Sequence, residues 1–430
     1  MHQGVLQRLI RSTAHRLRAR AAAIPLPRLR RILLALYLTV AFADAAAKAL
    51  AANASVNRAL SRFAGSSATV AQLESARKPG GNFEIFRAAS RHLFAGEDLY
   101  AEWPAEHVDR FKYSPTFAVL FAPFSWLYWP LALFLWSALN ALVLFFAIER
   151  LLPPRAALVA SAFLLLEILR AMQNAQSNAL VAGLIVLAFV ALERRKAWRA
   201  AAAIVAGASV KIFPLAALSF AIPRRRVWRT GVAAVAAGVA ALLVPLAVVS
   251  PAALAAQYRS WRAVESSDAQ QRWFSVMELL HRWLGASWPN WPVQLGGTLL
   301  LLAPLALRRD RWEEHRFRLL YLCSVLIYVV LFNHQAERAS YLIAFTGIAI
   351  WFAAEPRATW RTALFALAFV TITLMSTLIP GSPKSPTAML YRLAGPSLLV
   401  WIAIQVELWK TVDLSSVNSK LHSNRSARCS

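Results

Sequence analysis

The sequence has 430 residues, of which 58% are hydrophobic and only 16% are charged, and its mean hydropathy is +0.48. These values exclude an ordinary soluble domain and are typical of a helical membrane protein with several spans. The formal net charge is +26, but the lysines and arginines stand in short blocks between apolar segments rather than on one soluble domain. Such blocks follow the positive-inside pattern, so we expect membrane lipids and no nucleic acid as partners.

The chain begins with a basic segment, residues 1–31, which carries eight arginines and no acidic residue. An arginine-rich targeting peptide has a similar composition. A cytosolic tail that orients the first span explains the charge more directly, because cytosolic segments are enriched in arginine and lysine. We therefore predict that the amino terminus is cytosolic.

Ten apolar segments are long enough to cross a membrane or nearly so, given that a span needs roughly 17–25 residues. With the amino terminus inside, ten spans place nearly all the basic blocks and the polar tail 409–430 in the cytosol. We predict an all-α polytopic membrane protein with about 10–12 transmembrane helices over 32–408, in a bacterial plasma (inner) membrane. The predicted spans are 32–52, 129–149, 156–171, 179–192, 229–249, 292–307, 318–333, 339–354, 361–379 and 389–408.

Two further apolar segments are not predicted to cross the membrane. The first, 114–128, is predicted as a shallow helix that leads into the next span. The second, 199–222, lies between two basic blocks, and a full crossing would place one block outside. Near its middle Pro214 breaks the helix, and Lys211 needs a polar partner or water. We predict a re-entrant hairpin with Lys211 at its tip, lining a cavity.

The predicted outer face collects the first loop, 53–113, and the second large loop, 250–291. It also collects the stretches 173–178, 333–338 and 380–388. A carboxylate or a histidine can take the proton of an attacking hydroxyl, and a cation can neutralise a phosphate leaving group. The first loop contains several such residues: Glu84, Glu97, Asp98, Glu102, Glu106, His107, Asp109, Lys112 and Tyr113. The alternative is that they form an ordinary solvated loop surface.

Polar residues elsewhere on this face are candidates for ligand contacts. Lys211 is a lone cation in an apolar setting, which indicates a functional site unless it snorkels to the interface. His334 and Arg338 combine donors and acceptors at the end of a span, where they either recognise phosphate or cap a helical hairpin. Gln176 and Asn178 either bind sugar hydroxyls or cap helices. Arginines such as Arg259 accompany tryptophans in the second loop, as in an interfacial helix or a lipid-phosphate site.

The two cysteines predict no cofactor chemistry. Cys323 lies in an apolar span and Cys429 in the polar tail, so we expect neither a disulfide nor a thiolate metal site. The sequence also has no glycine-rich phosphate loop and no zinc motif. We therefore predict neither a metal nor another cofactor.

The order and spacing of several short motifs resemble glycosyltransferase family 87 from about residue 80 to residue 408. The resemblance implies a GT-C fold, a helical bundle with a catalytic first extracytoplasmic loop. It also implies inverting transfer of a hexose, typically mannose, from a polyprenyl-phosphate-linked donor to a lipid or glycan acceptor, without a nucleotide sugar or tightly bound metal. The motifs are N-F-E-I-F at 82–86, G-E-D-L-Y at 96–100, K-Y-S-P at 112–115, Q-S-N at 176–178, V-K-I-F-P at 210–214 and F-N at 332–333.

The sequence departs from the family pattern at the first motif. Many members begin it with an aspartate that resembles a catalytic base, and this position is Asn82 here. A neutral amide does not accept a proton usefully near pH 7. We predict Asp109, beside His107, as the base. Glu84 is the second candidate, although a helix turns it about 200° away from Asn82.

The resemblance suggests roles for the remaining candidates. Lys211, His334 and Arg338 would neutralise the departing phosphate, and Gln176 and Asn178 would hold sugar hydroxyls. The other predicted substrate contacts are Lys112, Tyr113, His107 and Arg259.

Two alternatives to this enzyme are compatible with the sequence. A flippase or transporter for a lipid-linked sugar would explain the broken helix at Lys211, because discontinuous helices mark transport sites. The absence of a clear inverted repeat argues against it. A glycan ligase would rely on arginine and histidine in a large outer loop, such as 250–291.

Overall fold

The computed structural model describes residues 25–52, 81–107, 109–285, 287–356, 358–375, 378–379 and 385–410. Within these ranges the chain forms helices and turns and contains no strand, which confirms the all-α prediction. Most of the predicted amino-terminal tail, residues 53–80 of the first loop, residues 380–384 and the tail after residue 410 lie outside the described residues.

The described residues form fifteen α-helices, numbered α1 to α15 in chain order. Shorter 3₁₀ segments lie at Phe213–Ala221, Val244–Ala247, Arg309–Arg311 and Arg338–Ser340, and a π-helical segment follows α14 at Phe369–Leu374. The α-helices are α1 Leu26–Ala52, α2 Asn82–Ala95, α3 Pro115–Trp126, α4 Trp129–Leu151, α5 Pro154–Gln173, α6 Asn178–Glu193, α7 Ala197–Val210, α8 Val227–Leu243, α9 Pro251–Asp268, α10 Val276–Leu284, α11 Asn290–Leu307, α12 His315–Leu331, α13 Tyr341–Ala354, α14 Thr359–Ala368 and α15 Pro386–Trp409.

Three helices begin at a serine–proline pair. The hydroxyls of Ser114, Ser250 and Ser385 each accept a hydrogen bond from the backbone N–H three residues later, at 3.2–3.3 Å. Proline then occupies the first helical position, where its missing N–H is not needed. These pairs therefore fix the starts of α3, α9 and α15. The start of α3 also agrees with the helix predicted over 114–128.

Six described helices are long and apolar enough to cross a membrane: α1, α4, α5, α8 with its 3₁₀ extension, α11 and α15. Other predicted spans, including α6 and α13, are shorter. The side chains of α6 and α13 are mostly buried by neighbouring helices, so lipid contacts little of their length. A buried helix does not have to match the full thickness of the bilayer, which explains how these short segments fit in the bundle.

The helices of the bundle pack closely where small residues meet. Gly183 on α6 lies against α4, and a Cβ atom there would be 2.9 Å from the backbone nitrogen of Leu144. Small residues allow membrane helices to approach at this distance. Any larger side chain at residue 183 would separate α4 from α6.

One end of the bundle contains an arginine–glutamate network. Glu193, the last residue of α6, accepts hydrogen bonds from Arg224 at 2.9 Å and Arg318 at 2.8 Å. At the same end Arg361 donates to Glu407 at 2.8 Å. Arg316 also donates to Glu407 and thereby joins the start of α12 to the end of α15. The basic blocks predicted to share one side of the membrane therefore lie together.

The segment after α6 turns back on itself, as the sequence predicts. α7 starts four residues after Glu193, and Arg224, just beyond the following 3₁₀ helix, bonds to the same glutamate. At the opposite end Lys211 donates to Asn178, the first residue of α6, at 2.9 Å. The two arms therefore run alongside α6 in opposite directions. The chain therefore reverses at Lys211 as predicted, and the re-entry of this hairpin into the membrane stays a prediction.

The two predicted outer loops fold against each other. The amide of Gln257 on α9 donates to the carbonyl of Glu97 at 2.8 Å and accepts from the N–H of Leu99 at 3.1 Å. The indole of Trp261 donates to the carbonyl of Lys112 at 3.3 Å. We call residues 81–107, 109–113 and 250–285 the cap. It contains α2, α9 and α10, so both loops are partly helical.

Candidate functional site

A cavity of about 490 Å³ lies between the cap, the tip of the hairpin and the end of α12. This volume falls within the range of about 300–1,000 Å³ that is common for small-molecule sites. The cavity brings together residues that are far apart in the sequence. Of the predicted site residues, it is lined by Asn82, Asp109, Lys112, Tyr113, Lys211 and His334.

Lys211 is held in place by amide side chains that lie outside the lining of the cavity. Its ammonium group donates to the Oδ1 atom of Asn178 at 2.9 Å, and the amide of Asn178 contacts Gln176 at 3.5 Å. Asn178 is fully buried, and neither amide lines the cavity. These two residues therefore position Lys211 in the structure. Their predicted contacts with sugar hydroxyls stay a prediction.

Lys112, which also lines the cavity, lies between two carboxylates. Its ammonium group is 3.1 Å from Asp268 and 3.7 Å from Asp109. Burial opposes the charge on Lys112, but the hydrogen bond to Asp268 and the nearby carboxylates more than offset it, so the pKa of Lys112 is raised. Asp268 is buried and also accepts from Gln271 at 2.9 Å and Gln335 at 3.1 Å. Lys112 is thus a fixed cation.

His334 presents a neutral imidazole. The amide of Gln294 donates to its Nδ1 atom at 3.4 Å, which places the proton on Nε2. That Nε2 atom is buried and has no hydrogen-bond partner among the described residues. Burial lowers the pKa of His334 below its ordinary value, although Asp268 acts in the opposite direction. An N–H without a protein partner is available to a ligand in the cavity.

Tyr113 closes the cavity at the junction of the cap and α3. Its ring packs edge-on against Phe86, with the ring centres 4.9 Å apart, and its carbonyl accepts from the hydroxyl of Tyr100 at 2.7 Å. Burial raises the pKa of the Tyr113 phenol, and the negative charge of Glu337 acts in the same direction. Tyr113 is therefore a neutral hydrogen-bonding group at neutral pH.

The candidate bases occupy different places. Asp109 is largely exposed and lines both the main cavity and a second one of about 360 Å³, where His107 lies. Asn82 lines the main cavity and donates to the carbonyl of Asn174 at 3.1 Å. Glu84 is absent from the lining and instead accepts a hydrogen bond from the indole of Trp129. The structure therefore brings Asp109 and Asn82 together and leaves Glu84 apart.

Gly81 explains how Asn82 reaches this position. Its backbone has φ +52°, in the left-handed region that favours glycine. A Cβ atom on Gly81 would lie 3.4 Å from the carbonyl oxygen of Asn174. Glycine thus lets the start of α2 approach the turn after α5.

Three further predicted residues lie outside the lining of the main cavity. Arg338 makes a two-pronged ion pair with Glu167, at 2.8 and 2.9 Å. Arg259 is exposed on α9. His107 is buried and its Nδ1 atom lies 2.6 Å from the carbonyl oxygen of Asp109, so it orients the candidate base from the second cavity.

The predicted site residues do not include several polar residues of this site, among them Glu265, Asp268, Gln294 and Glu337. Burial raises the pKa of Glu265, and the positive charge of Lys112 acts against the shift. Two signals were present in the sequence. Glu265 and Asp268 are three residues apart, which places both on one face of a helix. Gln294 is an isolated polar residue in an apolar helix.

The hairpin tip supplies an apolar wall beside Lys211. Ile212 and Leu215 line the cavity and remain 56% and 44% exposed. The lining also includes the aromatic side chains of Trp261, Trp273 and Phe332. The cavity therefore offers charged groups, hydrogen-bonding groups and exposed apolar surface to a ligand. Within the described ranges, no group of three or more histidine, cysteine, aspartate or glutamate residues is placed to hold a metal ion.

Comparisons with known proteins give a family match and distant structural similarity. The family model of glycosyltransferase family 87 matches residues 111–333. Asn82, Glu84, Asp109 and His334 lie outside that range. The crystal structure of ArnT from Cupriavidus metallidurans bound to undecaprenyl phosphate is similar at a TM-score of 0.35 and 14% identity, over 76% of this chain and 71% of ArnT. No curated protein matches the chain.

The family match covers just over half of the 430 residues and includes the hairpin, α9 and the end of α12. It confirms the resemblance that the short motifs indicated. The chain belongs to glycosyltransferase family 87.

Proposed function

We propose that this protein is an inverting membrane glycosyltransferase that uses a polyprenyl-phosphate-linked sugar as donor. The observation that carries the proposal is a single cavity in which two lysines, a neutral histidine and an aspartate stand beside an exposed apolar wall. Family membership supports glycosyl transfer as the reaction. Mannose is the first sugar to test, and the acceptor is a hydroxyl of a lipid or glycan.

The donor phosphate is proposed to lie between Lys211 and Lys112. Both lysines line the cavity, and cations close to the phosphate stabilise the charge that develops as the sugar–phosphate bond breaks. His334 offers its Nε2–H to a phosphate or sugar oxygen. The isoprenoid chain then lies along Ile212 and Leu215, and the burial of its apolar surface against them is favourable.

The sugar is proposed to lie under the cap. The amides of Asn82, Gln271 and Gln335 line this part of the cavity and supply both donors and acceptors for hydroxyl groups. The indoles of Trp261 and Trp273 offer flat apolar faces against which a sugar ring can pack.

Asp109 is proposed as the general base. The acceptor hydroxyl enters from the second cavity and its oxygen bonds to the anomeric carbon. Its proton passes to the carboxylate of Asp109, and the polyprenyl phosphate departs with the electrons of the broken carbon–oxygen bond. Asp109 lines both cavities, and Lys112 lies 3.7 Å away. Glu265 and Glu337, the other acids of the main cavity, are the alternatives to test.

The test is sugar transfer by purified protein in liposomes, with polyprenyl-phosphate-mannose as donor. We expect Asp109→Asn to reduce turnover by about 10²–10⁴-fold, the usual contribution of a general base, while donor binding persists. Glu84→Gln is the matched control and should stay within a few-fold of wild type, because Glu84 is outside the lining. Full activity in Asp109→Asn, with loss in Glu265→Gln or Glu337→Gln, would move the base to that glutamate.

The same variants separate this enzyme from the two alternatives. A flippase would tolerate Asp109→Asn, because moving a lipid-linked sugar across a bilayer requires no base. A glycan ligase would instead lose activity when Arg259 on the exposed face of α9 is replaced. Wild-type protein that moves the donor across the bilayer and transfers no sugar would overturn the proposal.

We also propose an orientation in a bacterial plasma membrane. The arginine–glutamate network would face the cytosol with both termini, and the cap would face outward, as the positive-inside rule predicts. A membrane-impermeant thiol reagent, applied to cells that carry either Ser260→Cys in the cap or Ser430→Cys at the carboxyl terminus in a chain lacking Cys429, tests this orientation. Labelling of the terminal cysteine in intact cells would reverse it.

A further inference from the structure

We propose a second anion site, outside the main cavity, that binds the phosphate group of an anionic membrane lipid. The site consists of Arg338, which pairs with Glu167, and of two neighbouring arginines, Arg170 on α5 and Arg392 on α15. None of the four residues lines the main cavity. The site is adjacent to that cavity, because Arg338 directly follows Glu337 of the lining.

The cluster has more positive than negative charge. Glu167 is 2% exposed and gives both carboxylate oxygens to Arg338, at 2.8 and 2.9 Å. Arg170 and Arg392 lie close enough to Arg338 for their charges to repel one another. Arg338 thus occupies both oxygens of Glu167, and the charges of Arg170 and Arg392 stand close to that ion pair. Buried charge of this kind is stable when a counterion is present.

Several donors of the cluster have no partner to bind. The Nε and Nη1 atoms of Arg392 and the Nε atom of Arg338 are buried, and none forms a hydrogen bond within the described part of the chain. Buried donors in proteins are nearly always paired. A guanidinium group presents its N–H donors in a planar fork that matches the oxygens of a phosphate. The unpartnered guanidinium donors therefore indicate a phosphate group as the ligand of this site.

The neighbouring backbone is irregular. The π-helical segment Phe369–Leu374 directs the carbonyl of Ile372 to the Nη2 atom of Arg338, at 2.9 Å. The next residue, Thr373, has a buried hydroxyl without a hydrogen-bond partner among the described residues. π-helical turns are rare and often occur at functional sites. Here the turn helps to fix Arg338 and leaves a further polar group nearby.

The surroundings favour a lipid as the source of the phosphate. Arg392 is six residues after the start of α15, about 9 Å along the helix at 1.5 Å per residue. The adjacent Tyr391 is 42% exposed and stacks on Trp283, which is 54% exposed. Exposed aromatic residues of this kind mark the membrane interface, where lipid phosphates lie.

The test is a lipid titration followed by thermal unfolding of the full-length protein in a neutral detergent. The probes are phosphatidylglycerol, phosphatidylcholine and inorganic phosphate. Wild type should be stabilised by phosphatidylglycerol at concentrations where phosphatidylcholine and inorganic phosphate have little effect. Arg392→Gln should weaken the response at least about tenfold, as expected when charge-assisted hydrogen bonds are lost. The phosphatidylglycerol response of Arg392→Lys should lie between those of wild type and Arg392→Gln.

Arg282→Gln is the matched control. Arg282 lies at the same end of the bundle, but Glu278 and Thr387 bond to it, at 2.8 and 2.9 Å. Its replacement should leave the phosphatidylglycerol response unchanged. If Arg392→Gln does not fold, Arg170→Gln measured by native mass spectrometry of bound lipid takes its place. An unchanged response in the folded variant, or equal binding of phosphatidylcholine, would overturn the proposal. Saturation by inorganic phosphate alone would overturn the assignment to a lipid.

Discussion

The two ends of the bundle use charged residues in opposite ways. In the arginine–glutamate network the carboxylates are saturated, since Glu193 accepts hydrogen bonds from Arg224, Arg318 and His315. In the cavity, the Nε2 atom of His334 has no partner among the described residues, and Lys211 donates a hydrogen bond to a neutral amide, that of Asn178. The first arrangement joins helices to each other. The second leaves charge and donors for a ligand.

The comparison predicts that stability and activity depend on different ends of the molecule. A saturated buried ion pair is costly to break, because the remaining partners stay charged. A cavity residue that contributes little to packing is instead expected to affect turnover.

The largest effect is expected for Glu193→Gln. Removing this charge leaves Arg224 and Arg318 without their carboxylate, so we expect a loss of about 3–5 kcal/mol in the free energy of unfolding. Thermal unfolding in detergent measures it. Asp310→Asn, which breaks an exposed pair with Arg308, is the control and should have little effect. If the two variants unfold alike, the network does not stabilise the bundle.

Lys211→Met should have the next largest effect, on turnover rather than stability. Loss of a group that stabilises transition-state charge costs about 10²–10³-fold, or about 2.7–4 kcal/mol. Unfolding should be unchanged or occur at a higher temperature, because a half-buried charge is removed. Lys196→Met, just before the same helix at the opposite end, is the matched control. Transfer within tenfold of wild type would contradict a role for Lys211 at the phosphate.

The smallest effect is expected in the pH dependence of kcat/KM, through the titration of His334. Burial lowers its pKa, so the neutral form that donates through Nε2 should persist below the ordinary value of about 6.5. The acid limb of kcat/KM that belongs to this group should therefore lie below pH 6.5 and disappear in His334→Gln. His315→Gln, in the network, should leave the profile unchanged. An acid limb above pH 6.5 that vanishes with His334 would contradict the neutral imidazole.

The sign of the accompanying stability change follows from the same shift. The folded protein binds a proton at His334 less readily than the unfolded chain does. The neutral histidine therefore contributes stability that is fully present above about pH 6.5 and is lost as pH falls through the lower folded pKa. In His334→Gln this loss should be absent from a pH series of unfolding temperatures.

Local patterns in the sequence predicted much of the fold. Lys211 and Pro214 within an apolar segment predicted a break, and the basic blocks on either side predicted that the chain turns back. Both features are present. The helical rotation between Asn82 and Glu84 predicted that they face different directions, and only Asn82 lines the cavity. These inferences succeeded because each depended on neighbouring residues and simple helix geometry.

The details of the site required contacts between distant segments. Arg338 follows a cavity residue, Glu337, yet it turns to Glu167, which is 171 positions away. Asp268 enters the site because the second loop folds against the first, where it pairs with Lys112, and Gln294 enters it because α11 packs beside the end of α12. No local pattern predicts such pairs, since each depends on which helices pack together. The predicted roles of Gln176 and Asn178 likewise concern a ligand, whereas the structure gives their protein contacts.

The most direct test of the central claim is an electron cryo-microscopy structure of the wild-type protein with a non-hydrolysable polyprenyl-phosphate sugar analogue. We expect a phosphate within hydrogen-bond distance of Lys211 or Lys112, an isoprenoid chain against Ile212 and Leu215, and the sugar beneath the cap near Asp109. A phosphate bound only at the cluster of Arg170, Arg338 and Arg392, with the main cavity free of the analogue, would contradict it.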